Sequence, residues 1–225
     1  DHDEPANVLE AVRAMRLKYV VLTMVDRDDV ADGGAAQIAR VVQTLRSAEP
    51  ELLVEMLAGD FRGVLSDVDT VVDAGAHVFA HNVETVRRLT PRVRDRRCGY
   101  DQSLRVLAAA KRRRPEVVTK SSIMLGLGEA DAEVRATLLD LRESGVEIVT
   151  LGQYLRPAPR FLQVTEYVHP DVFAKWQERA MAMGFLHCAS GPLVRSSYRA
   201  SEAFLAGYLT SRERPSPVGD AKSAC

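Results

Sequence analysis

What this sequence has little of sets the first limits. Three cysteines stand far apart among 225 residues: Cys98, Cys188 and Cys225. They form no C-x-x-C and no metal-ligand spacing, and their odd count implies no disulfide framework, so a reducing compartment is the natural reading. No apolar stretch approaches the roughly 18 residues of a membrane span. The formal net charge is only -1, so no global basic surplus argues for nucleic acid, and neither nucleic acid nor a membrane is expected as a partner. The run Lys111-Arg112-Arg113-Arg114 reads as the solvated end of a helix, favoured there by the helix dipole. No G-x-G-x-x-G follows the first apolar run, and Gly126-x-Gly128 alone is a weak match to a phosphate loop. No signal-peptide pattern is expected within these 225 residues. The chain opens on Asp1-His2-Asp3-Glu4-Pro5 without an initiator methionine, and reads like a piece of a longer protein.

What is present suits one globular domain with a real core, since 46% of residues are hydrophobic and 27% charged. Residues 1–210 are expected to form it. Residues 211–225 hold Pro, Ser and Gly with little to bury, and are expected to be a disordered tail.

Strand-like and helix-like runs alternate along the chain. A helix is expected over Glu4 to Leu17, with Pro5 at a first helical position. Tyr19 to Val25 is a continuous run rich in β-branched residues, too apolar for a strand wet on one face, so a parallel strand covered on both sides is expected. It leads into Asp26-Arg27-Asp28-Asp29 and Asp32-Gly33-Gly34, where crowded aspartates need a cation, a hydroxyl-rich ligand or Arg27 to offset them. Further strands are expected at Leu52 to Leu57, His77 to Ala80, Val117 to Leu125, Val146 to Leu151 and Phe185 to Ala189. Helices are expected at Ala35 to Ser47, Val64 to Ala74, Val86 to Leu89, Gln102 to Arg113, Asp131 to Ser144, Pro170 to Met183 and Ser201 to Leu209.

Strand then helix, recurring at intervals of about 25 to 40 residues, gives a parallel sheet. Either an open doubly wound sheet or a βα barrel fits. Polar clusters recur where successive strands are expected to end, which is how βα barrels build a site. A partial parallel βα barrel, TIM-like and incomplete on its N-terminal side, is therefore the expected fold. Its carboxyl face would gather Asp28, Asp29, Glu55, His81, Asn82, Glu84, Lys120, Ser121, Gln153, Tyr154 and Arg156. Asn82 and Glu84 could hold sugar hydroxyls, since a carboxylate accepts and an amide both donates and accepts. Lys120 could meet a ligand carboxylate, form a Schiff base, or simply neutralise a nearby acid. Cys98 and Cys188 read as small apolar or surface residues. The loop Gly191-Pro192-Leu193-Val194-Arg195-Ser196-Ser197-Tyr198-Arg199 comes late enough to close over these strand ends, and its arginines could bind an anion or simply turn the chain.

Taken together the motifs resemble lipoyl synthases, radical S-adenosylmethionine enzymes that insert sulfur into a protein-bound octanoyl chain. The resemblance rests on Val25-Asp26-Arg27-Asp28-Asp29 with Asp32-Gly33-Gly34, on Asp60-Phe61-Arg62-Gly63, and on His81-Asn82-Val83-Glu84-Thr85. It continues through Thr119-Lys120-Ser121-Ser122-Ile123-Met124-Leu125-Gly126-Leu127-Gly128-Glu129 and Gly152-Gln153-Tyr154-Leu155-Arg156-Pro157. Its most specific stretch is Ala189-Ser190-Gly191-Pro192-Leu193-Val194-Arg195-Ser196-Ser197-Tyr198. The match spans about Asp3 to Leu205, in the family's order.

The resemblance implies a sulfurtransferase with two [4Fe-4S] clusters and S-adenosylmethionine. Asn82, Glu84 and Lys120 would hold S-adenosylmethionine, and Ser197 would ligate one iron of an auxiliary cluster that serves as the sulfur source. Arg195 and Arg199 could position the loop or the substrate. Implied partners are octanoylated lipoyl domains of 2-oxoacid dehydrogenase E2 and glycine cleavage H proteins, and iron–sulfur carrier proteins. Asp95-Arg96-Arg97, Tyr100 to Leu107 and Ser201 to Leu205 look most like mitochondrial members, so the matrix is expected, with a bacterial cytoplasm as the alternative. The family's two cysteine triads, C-x4-C-x5-C and C-x3-C-x2-C, do not occur in these 225 residues. The chain by itself is therefore expected to hold neither cluster stably and to be inactive, and a barrel lacking its first strand would expose an apolar edge. The rival readings are a Schiff-base βα-barrel lyase using Lys120 and a non-catalytic fragment that keeps only substrate binding.

Overall fold

The computed structural model describes residues 2–197, 204–205 and 207–209. The expected tail, with Tyr198 and Arg199 of the late loop, lies outside the described residues. Helix α1 (Glu4–Ala14) leads into strand β1 (Tyr19–Thr23). Then follow α2 (Ala35–Ala48), β2 (Leu53–Leu57), α3 (Leu65–Asp73), β3 (Val78–Ala80), α4 (Thr90–Val93) and α5 (Tyr100–Arg113). The second half is β4 (Val118–Leu125), α6 (Asp131–Glu143), β5 (Ile148–Gln153), α7 (Pro170–Ala182) and β6 (His187–Gly191). All neighbouring strands are parallel, in the order β1-β2-β3-β4-β5-β6. Sequential parallel order makes every crossover turn the same way, so the helices gather on one face and the other face curls inward. The result is a barrel left open between β1 and β6.

Local chemistry sets the element ends. Prolines 5, 91 and 170 stand at the first turns of α1, α4 and α7, where an amide hydrogen would go unused. Helix α6 stops because Gly145 adopts φ 83°. That left-handed residue lets Val146 N–H return to the Leu141 carbonyl at 3.0 Å, a closure for which glycine is best suited. Asp60-Phe61-Arg62-Gly63 is tighter still, with φ of 48°, 55° and 76° at its last three residues. Its carboxylate accepts from Arg62 N at 3.0 Å and Gln102 Nε2 at 2.8 Å.

Two apolar layers lie between sheet and helices. One joins α1, α2 and α3 to Val54, Met56 and Phe79. The other joins α6 and α7, including Phe173 and Trp176, to Ile123, Val149, Leu151 and Cys188. A third cluster fills the bottom of the barrel, where Tyr19, Val78, Val118 and Ile148 meet Leu205 and Leu209. Each of these four strand residues stands at or next to a strand's first position, so the late segment plugs the amino end of the barrel.

Period-two alternation makes the interior a set of layers. Along β4, Val118 belongs to the bottom cluster, Lys120 comes next, and Ser122 and Met124 reach the opposite mouth. Lys120 is therefore not at a strand end as expected. It is the third of eight residues in β4, in register with Ala80 and Ile148. Glu55 is likewise inside the barrel, not on its carboxyl face. Lys120 Nζ donates to Glu55 Oε1 at 2.7 Å, with 2% and 1% of their side-chain surfaces exposed. Tyr19 OH donates to the other oxygen, Glu55 Oε2. These strands carry polar residues at mid-height because the layer is self-compensating.

Other boundaries move less. The first strand ends at Thr23, and the last runs over His187–Gly191, since its small residues continue the ladder with β5. Val86 to Leu89 is a turn, and the helix starts at Thr90 instead.

Candidate functional site

The open end of the barrel holds a groove in two connected parts. One, of about 200 Å³, is lined by Thr23, Asp26, Asp60, His81, Arg94 and Cys98 among others. The other, of about 190 Å³, is lined by Ser122, Met124, Gly152, Gln153, Arg195 and Ser196 among others. Asn82 and Glu84 line both, and so form the saddle between them.

Glu84 is fixed by its backbone. It has φ 67°, in the left-handed region that non-glycine residues rarely occupy. Two hydrogen bonds hold it there, Glu84 N to the Ser122 carbonyl at 3.0 Å and Met124 N to the Glu84 carbonyl at 2.8 Å. Strain of this kind persists where the surroundings over-determine it, commonly at binding sites. Burial raises the Glu84 carboxyl above its ordinary range, opposed by a hydrogen bond from Asn82 and by the nearby Arg94 charge. That bond, Asn82 Nδ2 to Glu84 Oε1, is 3.2 Å. Asn82 Oδ1 is buried with no hydrogen-bond partner. A buried acceptor without a donor costs free energy, so a ligand hydroxyl or amine would be favoured here.

The remaining expected residues divide between rim and frame. Arg27 pairs with Asp29 at 2.7 Å, and Arg97 pairs with Asp28 at 2.5 Å, so the crowded aspartates are offset by arginines. Gln153 frames the loop after β5, donating to the Glu166 carbonyl at 3.0 Å and accepting from Val168 N at 2.9 Å. Tyr154 OH holds the Leu162 carbonyl at 3.0 Å, and Arg156 Nε holds that of Phe161 at 2.9 Å. Ser121 Oγ accepts from Val83 N at 3.2 Å. Ser196 lines the groove and Ser197, the next residue, is exposed beside it. The loop lies close to β5 because Gly152 has no side chain, a Cβ there being driven into the Val194 carbonyl oxygen.

Sequence reasoning missed Arg94 and Ser103. Arg94 sits in the basic stretch 92–97 and looks like its solvated neighbours. Ser103 did leave a signal: it shares the buried stripe of α5 with Tyr100, Val106, Leu107 and Ala110. A hydroxyl on such a stripe requires a partner.

Cluster ligation finds no fit in these residues. Among the described residues no three His, Cys, Asp or Glu side chains gather as a metal site. Cys98 lies at the groove, but burial and nearby Asp60 push its thiol up to about 11. Cys188 is in the outer core and burial pushes it up to about 12. Iron–sulfur clusters are held by thiolates, which neither site favours. S-Adenosylmethionine fits better, since the groove offers a buried unpaired acceptor, a carboxyl group and a partly buried cation together.

A parallel βα barrel with its groove at the carboxyl ends of the strands is the frame of several enzyme families. Residues 1–141 match the model of the Radical SAM superfamily, and the chain belongs to that family. Over 220 residues it is 53% identical to the mitochondrial lipoyl synthase of Clavispora lusitaniae, covering 98% of this chain and 56% of that protein. To the mitochondrial lipoyl synthase of Drosophila willistoni it is 54% identical over 214 residues, covering 95% of this chain and 58% of that one. The chain thus spans a little over half the length of these relatives. Among solved structures, HydG, a maturase of the [FeFe]-hydrogenase, superposes with a TM-score of 0.64 at 15% identity over 84% of this chain and 44% of that one. Methylornithine synthase (PylB) gives 0.55 at 16% identity, over 69% of this chain and 44% of that one. These two likenesses support the barrel alone.

Proposed function

We propose that this chain is the barrel portion of a mitochondrial lipoyl synthase, which inserts two sulfur atoms into an octanoyl group carried on a lipoyl domain. The observation that carries the reading is the identity of more than half of all residues to lipoyl synthases over almost the whole chain. The groove adds physical support. In this reading Asn82 and Glu84 hold S-adenosylmethionine, Asn82 through its unpaired Oδ1 and Glu84 through its carboxyl group. Bound there, and given one electron by a reduced iron–sulfur cluster whose thiolates lie outside these residues, S-adenosylmethionine would supply the radical chemistry that removes hydrogen from an unactivated carbon. The barrel orients it, and the half-closed groove keeps water from it. Lys120 acts one layer below, where its pairing with Glu55 sets the groove floor without touching the ligand. Ser197 stands at the rim, on the loop that would reach an auxiliary cluster. Thiolates for the two clusters must come from outside these residues, and iron–sulfur carrier proteins would deliver the clusters.

The Schiff-base alternative loses its nucleophile, because the Lys120 amine is enclosed and paired with a carboxylate. Mass spectrometry of an octanoylated lipoyl domain, after incubation with the anaerobically reconstituted natural-length protein and S-adenosylmethionine, tests the reading. Two sulfurs replacing two hydrogens are expected. S-Adenosylmethionine cleavage with an unchanged lipoyl domain would reject this substrate. For the 225 residues alone, anaerobic reconstitution should leave iron near background, and about eight irons per chain would show that the cysteine shortage does not matter.

A further inference from the structure

Two runs of chain border the outer part of the groove, and both turn apolar side chains to solvent. One is the connection from β5 to α7, residues 154–169. Connections longer than about 12–15 residues with no helix or strand of their own are uncommon in compact domains, and many of them are functional. The other run follows β6. Leu155 is 47% exposed, Phe161 44% and Leu193 78%. Leu155 lines the groove together with Val194 and Arg195, so the two runs meet at one rim. Arg156 ties Phe161 to the same rim, since its Nε donates to the Phe161 carbonyl at 2.9 Å. Exposed apolar residues scattered singly need no explanation, but a cluster at the mouth of a groove does.

The longer run is held stiffly. Pro157 and Pro159 fix their own φ angles. Arg156 also donates to the Pro159 carbonyl, and Phe161 N donates to that of Ala158 at 3.0 Å. Farther along, Tyr154 holds the Leu162 carbonyl, Gln153 holds that of Glu166, and Thr165 N donates to the Gly126 carbonyl at 2.9 Å. These bonds end on backbone atoms, so they fix the loop and leave the Leu155 and Phe161 side chains facing outward. A surface already in its bound shape loses little entropy when a partner lands on it.

The charge of the rim is mostly of one sign. Arg156 and Arg195 give their hydrogen bonds to backbone carbonyls. Arg160 lies over the Phe161 ring, 5.0 Å from its centroid. No carboxylate pairs with any of the three among the described residues. The one acid within residues 155–169 is Glu166, beyond Phe161. Elsewhere around the mouth the arginines are paired: Arg27 to Asp29, Arg97 to Asp28 and Arg88 to Glu133. The whole chain carries a formal charge of only -1, so this excess is local. Arginine interleaved with exposed leucine and phenylalanine is the composition of a protein interface, and unpaired arginines select an acidic partner. The groove opens at this rim, so a partner seated here needs an extended arm to deliver its reacting group inside.

We propose that Leu155, Arg156, Arg160, Phe161, Leu193 and Arg195 form a docking surface for an acidic face of the protein domain that carries the acyl group. The partner's identity rests on the reading above, in which that domain is a lipoyl domain. The test uses the anaerobically reconstituted natural-length protein and two acyl substrates, an octanoylated lipoyl domain and an octanoyl-lysine tripeptide that lacks the domain. Sulfur insertion is followed by mass spectrometry. Arg160 and Phe161 are the residues to change, because neither lines the groove. Phe161→Ser should raise KM for the domain about tenfold, the effect of losing an interface anchor. Arg160→Glu should raise it about as much at low salt, with the gap to wild type closing as salt is added. Both should leave kcat, and KM for the tripeptide, unchanged. A domain KM that neither substitution moves would overturn the proposal, as would a wild-type KM no lower for the domain than for the tripeptide. So would equal losses with both substrates, which would show that the patch shapes the groove or packs against the rest of the natural protein. A second copy of this chain is the other occupant to test: a wild-type dimer that Phe161→Ser splits, with the domain KM unmoved, would assign the patch to it. Sulfur insertion into neither substrate by the wild type would reject the lipoyl synthase reading and this partner with it.

Discussion

Glu55, buried, and Glu84, half-buried at the groove, are carboxyl groups of one barrel with opposite surroundings. Glu55 receives an ammonium on one oxygen and a phenol on the other. Glu84 receives one long amide hydrogen bond, beside an amide oxygen that has no partner. A low-dielectric interior strengthens paired charges and penalises unpaired ones. The lower layer therefore holds strands together, tying β1, β2 and β4. The upper layer keeps polar groups whose needs the chain does not meet, and such unmet need marks a site. The contrast also explains why polarity inside this barrel is a poor guide by itself: what separates frame from site is whether the partners are already present.

The comparison breaks most sharply at Lys120. Replacing it with Met leaves Glu55 buried without its cation, at an expected cost of about 3–5 kcal/mol in denaturant unfolding. Lys120→Met with Glu55→Leu should recover most of that loss, since an apolar pair of similar volume removes the buried charges together. Loss of stability in the double variant as large as in the single one would mean that packing, not pairing, is what Lys120 supplies. Next in size is Gly152→Ala. Its methyl group would displace the Val194 carbonyl and with it Arg195 and Ser196. Overpacking of this kind costs about 1–3 kcal/mol, and ligand binding in the groove should fall further than stability does.

Glu84 sharpens the contrast through pH. Its folded carboxyl is raised from an ordinary 4.5. Its neutral form thus supports the fold below pH 4.5, and that support is lost as pH rises through the raised value. Glu84→Gln should remove this decline and hold stability level on the alkaline side, while Glu55→Gln should destabilise. His81 works in the opposite direction. Burial lowers it from 6.5 to about 4, against Asp60, which favours its charge, and beside Arg94, which does not. Stability should fall as pH drops from 6.5 toward 4, because the unfolded chain takes up the proton first. Urea midpoints measured between pH 4 and 8 for wild type, Glu84→Gln and His81→Asn would separate the two limbs, and a Glu84→Gln profile parallel to wild type would remove Glu84 as the source of the alkaline one.

Much of this was legible in the sequence, and the failures have physical causes. The continuous run Tyr19 to Val25 announces a parallel strand, and the alternation of strand-like and helix-like runs announces a barrel. His81-Asn82-Val83-Glu84 carries the polar pattern of a strand end, and Asn82 and Glu84 do lie in the groove. Lys120 was misplaced because Thr119-Lys120-Ser121-Ser122 looks like a strand's polar exit. The period of two in Val118, Lys120, Ser122 and Met124 carries the correct answer, a strand whose inward face changes from apolar to polar along its length. Arg94 was out of reach, since its neighbours Ser103 and His81 come from other elements that only folding brings together. Family motifs pointed to Ser197, but no local pattern in its own loop distinguishes it from Ser196.

The smallest expected effect is also the strictest control. Lys111 and Glu147 form a second Lys–Glu pair at 2.8 Å, almost the length of the Lys120–Glu55 contact at 2.7 Å. Residue types and distance are thus matched, while about a fifth of each side chain is exposed at the first pair and almost none at the second. Lys111 also donates to the Val117 carbonyl at 2.8 Å, so its removal frees one further acceptor near water. Water can solvate what Lys111→Met leaves behind, so the expected cost is about 1 kcal/mol. Added salt should shrink it further, because screening acts on pairs that solvent reaches. Lys120→Met should keep its full cost in the same salt. If the two substitutions cost the same, or respond alike to salt, burial is not what gives the inner pair its strength, and the division of the barrel into frame and site would have to rest on something other than compensation.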